Sequence, residues 1–149
     1  MPSQESDKEN NLQVEIRDCT EADFDLIRKY ISEYELDDRQ LQKKEFVVAH
    51  ANNNLLGFGR VREYEGFSEM CSLGILANQR HKGIGKLVFD AMLKKAKLPS
   101  YLVCIIPHYF EPFGYRICEN YPPQMKEKMD YCTDSLVVPE NYVVMRKQG

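Results

Sequence analysis

Lys82-Gly83-Ile84-Gly85-Lys86 sets two glycines between basic residues, at the mouth of an apolar-periodic run. A helix start exposes unpaired backbone N–H groups and the positive end of the helix dipole. Glycine lets an anion reach those amides with no Cβ in the way. The stretch therefore points to a phosphate-bearing ligand. The Walker loop requires G-x-x-x-x-G-K-[ST], and here the glycines are two apart with Leu87 after the lysine. The dinucleotide fingerprint requires a small residue at Val88 and a place after the first strand. A third phosphate-loop pattern, [QR]-x-x-G-x-[GA], fits Arg80-His81-Lys82-Gly83-Ile84-Gly85 in full.

The elements around this loop follow from pattern. Residues 12–19 alternate as a strand. Residues 20–36 carry Phe24, Ile27, Ile31 and Tyr34 at helical spacing, behind a Thr20/Asp23 capping box. A shorter helix is expected over residues 37–44. Strands follow at 45–51, 55–64 and 68–76, with turns at the three asparagines 52–54 and at 65–67. The helix that opens at Gly83 presents Ile84, Leu87, Val88, Ala91 and Met92 as its apolar stripe. A buried strand at 101–106, a helical turn running into a strand at Tyr115, and a last strand at 141–147 complete the chain. This order predicts an α/β (α+β) fold, a mixed sheet with helices on its faces.

Composition narrows the class. The 149 residues suffice for one domain, expected over 12–149, with a polar disordered tail over 1–11. The net charge of -3 argues against nucleic acid or an anionic membrane as the main partner. No apolar run approaches the roughly 20 residues that span a bilayer. With no secretion signal at the start, a cytoplasmic location is expected. Cys19, Cys71, Cys104, Cys118 and Cys132 are odd in number and lack C-x-x-C spacing, so reduced thiols and no metal site are expected.

The stretch from Leu73 to Leu93 resembles the acyl-CoA-binding core of the GNAT N-acetyltransferase superfamily. There an apolar strand leads into the R-x-x-G-x-G loop and a helix. "YFEPFGYRI", residues 109–117, is similar to the second signature of the family, an aromatic-rich turn ending in glycine and an aromatic residue. The resemblance spans about residues 13–147. It implies a mostly antiparallel sheet whose two central strands splay around the acyl-CoA. The loop residues Arg80, Lys82, Gly83, Ile84, Gly85 and Lys86 would bind the pyrophosphate, and Leu73 and Ile75 would lend backbone groups to the pantetheine arm. His81 stands where the family commonly has glycine, and is expected to fit if its φ is negative.

The resemblance also implies a mechanism. Acyl transfer to an amine needs a neutral amine, a polarised carbonyl and a protonated leaving thiolate. Glu69 occupies the place of the strand glutamate that acts as base in the histone acetyltransferase branch. Cys71 and Leu73 are expected to share its face of the strand. The amide of Ile75 would polarise the carbonyl. Many relatives have a tyrosine acid where this chain has Phe110, so Tyr109 next to it is the alternative acid. "HYFEPFGY" and "ELDDRQLQ" resemble the N-acetylglutamate synthase-like branch, which makes Arg39 a candidate clamp for a substrate carboxylate. The expected activity is transfer of acetyl from acetyl-CoA, as co-substrate, to a primary amine of a small molecule such as an amino acid, by a monomer or homodimer. Acetylation of a protein N-terminus or lysine, and acyl-CoA binding without turnover, are the alternatives.

Overall fold

The computed structural model describes residues 13–80, 82–135 and 141–148. The tail expected over 1–11 and the backbone of His81 lie outside these residues. Seven strands form one sheet: β1 (Glu15–Asp18), β2 (Phe46–Ala51), β3 (Asn54–Tyr64), β4 (Phe67–Ile75), β5 (Ser100–Cys104), β6 (Arg116–Ile117) and β7 (Val143–Lys147). Their order is β1-β2-β3-β4-β5-β7-β6, antiparallel throughout except between β4 and β5.

The helices are α1 (Glu21–Glu33), α2 (Ile84–Lys95), α3 (Pro107–Phe110) and α4 (Pro123–Ser135). The capping box forms as the sequence requires. Thr20 Oγ1 accepts from the Asp23 amide at 3.2 Å, and Asp23 Oδ2 accepts from the Thr20 amide at 3.0 Å. In the β2–β3 turn Asn52 and Asn53 both take positive φ, 52° and 63°, the conformation a two-residue hairpin loop favours and asparagine tolerates.

Alternation along the strands sorts the core into two faces. Ile27 and Ile31 of α1 pack on Phe46, Val48 and Phe58. Met125 of α4 packs beside them on Phe67, Tyr101 and Val144. On the opposite face Val88, Phe89 and Met92 of α2 cover Val47, Ala49, Met70 and Leu102. Leu87, expected in the α2 stripe, is 44% exposed, and Phe89 takes the buried place.

The helix expected over residues 37–44 fails; only a 3-10 turn occurs, at Lys43–Glu45. The fully buried guanidinium of Arg60 donates to the carbonyls of Arg39 and Gln40 at 2.8 and 2.7 Å. Gln40 has a φ of 52°. Those carbonyls serve a side chain on β3 instead of a helical ladder. Residues 123–135, to which the pattern assigned no element, form α4. Its inward positions Met125, Lys128 and Cys132 include a lysine, which breaks the apolar stripe.

Candidate functional site

The β4–β5 ladder consists of two pairs, Ser68↔Ser100 and Glu69↔Tyr101, and ends there. Beyond Glu69 the two strands diverge, as the family resemblance implied. Part of the cause lies on β4 itself. Ser72 has a φ of 51°, and Ser72 and Leu73 together oppose Gly59, since the β3 register jumps from Arg60↔Cys71 to Phe58↔Gly74. This is a β-bulge, which bends its strand and disrupts the regular ladder. It also reverses the alternation. Cys71 stays on the α4 side with Glu69, but Leu73 turns to the α2 side and packs in the same cluster as Met70. The expected common face of Glu69, Cys71 and Leu73 therefore holds for the first two only.

A cleft of about 170 Å³ occupies the divergence. Met70 and Leu73 of β4, Leu102 and Val103 of β5, and Phe89 of α2 form apolar walls; Asp37, Ser72 and Lys128 supply polar groups. Near the C-terminal end of β4 lies the start of α2. Gly83 is its N-cap, with a φ of 79° and no side-chain cap, and a Cβ placed there would meet nothing within 4 Å. The first amides of the helix are thus free of a capping side chain and open to an anion. Lys82 is exposed, and Lys86 extends outward to Asp90 at 3.0 Å. Arg80 donates to the Ile75 carbonyl at 3.0 Å and lies over the Tyr34 ring.

Tyr109 belongs to this end of the cleft. Its hydroxyl sits 2.8 Å from where a Cβ on Gly85 would be, so a side chain there would have to push the tyrosine aside. Burial, and then the charge of Asp90, push its pKa up. Phe110 turns inward against Phe89 and Tyr115 and lines the cleft.

At the polar end, Glu69 is fully buried. The Tyr64 hydroxyl donates to Oε1 at 3.3 Å, and the Lys128 ammonium stands 3.2 Å from Oε2. That ion pair lacks hydrogen-bond alignment, which leaves Oε2 as a buried acceptor with no hydrogen-bond donor. Glu69 lies behind the cleft wall, while its neighbours Met70, Cys71 and Lys128 line it. Lys128 also pairs with Asp37 Oδ2 at 2.6 Å.

Arg39 holds Asp37 from the other side, through Nε at 3.0 Å and Nη2 at 2.9 Å, and stacks on Tyr131. Burial would raise the Asp37 pKa, but these bonds from Arg39 and the charge of Lys128 hold it well below the ordinary carboxylate value. Burial opposes the Lys128 charge too, yet Cys71, Glu69 and Asp37 around it raise its pKa above that of an ordinary lysine. Burial, reinforced by the Glu69 charge, pushes Cys71 up to about 12, so this thiol stays protonated at neutral pH. All five cysteines are unpaired. Asp37 and Lys128 carried no signal in the sequence: one sat in an expected helix, the other in a segment with no assigned element.

Residues 15–106 match the Acetyltransferase (GNAT) domain family. The chain belongs to that family, and acyl transfer is its general chemistry. N-acetylglutamate synthase from Neisseria gonorrhoeae, complexed with coenzyme A and N-acetyl-glutamate, superposes with a TM-score of 0.71 over 91% of this chain at 16% identity. The match covers 35% of that enzyme, so the present chain spans about a third of its length. Rv2747 from Mycobacterium tuberculosis, in complex with CoA, gives 0.72 at 15% identity over 91% of this chain and 99% of that one. Arabidopsis thaliana Naa50, with the bisubstrate analogue CoA-Ac-MVNAL, gives 0.64 at 16% identity over 93% and 100%. No curated protein sequence matches the chain. Among the described residues no helix is long and apolar enough to cross a membrane.

Proposed function

We propose that the protein is an N-acetyltransferase that moves acetyl from acetyl-CoA to a primary amine of a small molecule, with amino acids the first class to test. One observation carries this reading: the diverging β4–β5 cleft has an uncapped helix N-terminus at one end and a buried acid–lysine cluster at the other. The loop residues Arg80, Lys82, Gly83, Ile84, Gly85 and Lys86 hold the pyrophosphate, and the backbone of Leu73 and Ile75 guides the pantetheine arm.

When bound, acetyl-CoA supplies an activated acyl group as a thioester. The Ile75 amide polarises its carbonyl. Glu69 is the base, reached from the cleft through water because it lies behind the wall. Arg39 stands at the acceptor end, where a substrate carboxylate would share it with Asp37. The protein works in the cytoplasm, without nucleic acid, as a monomer or homodimer.

The test is release of free thiol from acetyl-CoA against a panel of amino acids, polyamines and short peptides. Release that depends on an amino acid or polyamine supports the reading. Release with peptides alone favours the protein-acetylating branch. Tight acetyl-CoA binding with no release for any amine overturns catalysis in favour of sensing.

A further inference from the structure

Lys128 is buried against two carboxylates that approach from different elements, Asp37 from the loop after α1 and Glu69 from β4. A lysine in such a place requires a reason, because an ammonium taken out of water loses hydration that its partners must offset. The same helix shows the ordinary alternative: Lys126, two residues earlier, faces outward and pairs with Asp130. Asp37 does not need the ammonium for charge balance. Arg39 already grips it with two side-chain bonds, and the Arg39 amide adds a third at 3.0 Å. Glu69 does need it. Among the described residues Lys128 is the cation within ion-pair distance of Glu69, and the remaining partner of that carboxylate is the Tyr64 hydroxyl at 3.3 Å.

We propose that Lys128 is a positioning residue for Glu69: anchored by Asp37, its ammonium balances the buried carboxylate and holds Oε2 in place directly behind the cleft that Lys128 itself lines. This rests on the reading of Glu69 as the base. The tight bond is the 2.6 Å one to Asp37, so Asp37 fixes where the ammonium stands. The 3.2 Å contact to Oε2 is the looser of the two and is not aligned as a hydrogen bond. An aligned hydrogen bond from lysine would take one of the two acceptor positions of Oε2. The arrangement therefore supplies charge and orientation while leaving the acceptor atom open.

The test is a double-mutant cycle of Lys128→Met and Glu69→Gln. It is read as kcat and KM for thiol release from acetyl-CoA, with the amino acid, polyamine or peptide that the panel selects. Lys128→Met should lower kcat by about tenfold or more and leave KM for acetyl-CoA unchanged, and Lys128→Arg should recover most of the loss. On the Glu69→Gln background the same change should cost less than about twofold, because it acts through a group already removed. An equal loss on both backgrounds would mean a structural role and overturn the proposal. A fully active Lys128→Met beside a crippled Glu69→Gln overturns it as well, with the base assignment intact. A fully active Glu69→Gln removes the base reading and this proposal together. Should Lys128→Met fail to fold, Asp37→Asn/Lys128→Met removes the tight pair as a unit and enters the cycle in its place.

Discussion

Glu69 and Tyr109 were both named as candidates from the family resemblance, and the structure gives them different surroundings. Glu69 is fully buried and paired, behind the cleft wall; Tyr109 is 39% exposed, with its hydroxyl over Gly85. Glu69→Gln should lower turnover more at low pH than at high pH, since amine that arrives neutral needs no base. The check is a pH–rate profile of both proteins, and parallel profiles would remove Glu69 from proton transfer. Tyr109→Phe should cost less than about tenfold, below the range of a working general acid, because a thiol near pKa 8.5 leaves readily. Its hydroxyl sits at the phosphate end and not at the polar end of the cleft, which favours the small value. A hundredfold loss with unchanged acetyl-CoA affinity would make Tyr109 the acid. The residues hardest to foresee were Asp37 and Lys128, because an ion pair between positions 91 apart leaves no local pattern.

At the scale of elements, legibility tracked how locally each one is decided. The Thr20/Asp23 box, the Asn52–Asn53 turn and the glycine start of α2 use neighbours within four residues, and all three were readable. The loop at 37–44 was misread because Arg60, some twenty residues away, takes its carbonyls. The bulge at Ser72 was invisible for a similar reason: register is a property of two strands, and it decided which face Leu73 occupies. The start of α2 gives a prediction of its own. Gly83→Asp should weaken acetyl-CoA binding by at least about tenfold, through an anion placed at the positive end of the helix and a strained left-handed residue. Gly83→Ala carries the strain without the charge and should weaken binding less. Calorimetry of both variants decides the matter, and equal affinity for Gly83→Asp and the parent would place the phosphate elsewhere.

At the scale of the molecule, the buried cluster ties the loop after α1, β4 and α4 together, so its charge state should register in the stability of the whole chain. The folded-state pKa of Asp37 lies below its unfolded value, so its stabilisation is present above about pH 3.9 and is lost as pH falls through the folded value. Lys128 is the opposite case. Its folded-state pKa is raised, so its stabilisation is present below about pH 10.4 and is lost as pH rises through the folded value. Between these limits both contributions are complete. Asp37→Asn leaves Lys128 and Arg39 without their shared carboxylate, and breaking such a buried pair costs about 3–5 kcal/mol. For a chain of this length that corresponds to a fall in Tm of about 6–20 °C at neutral pH. The gap between parent and variant should stay level from about pH 5 to 9 and narrow below about pH 4, as protonation of the unfolded chain removes the advantage of the parent. Thermal unfolding followed by circular dichroism at pH 7 and pH 3 measures both gaps. A gap at pH 3 as wide as at pH 7 would show that Asp37 stabilises by shape and hydrogen bonding, and that its charge adds nothing.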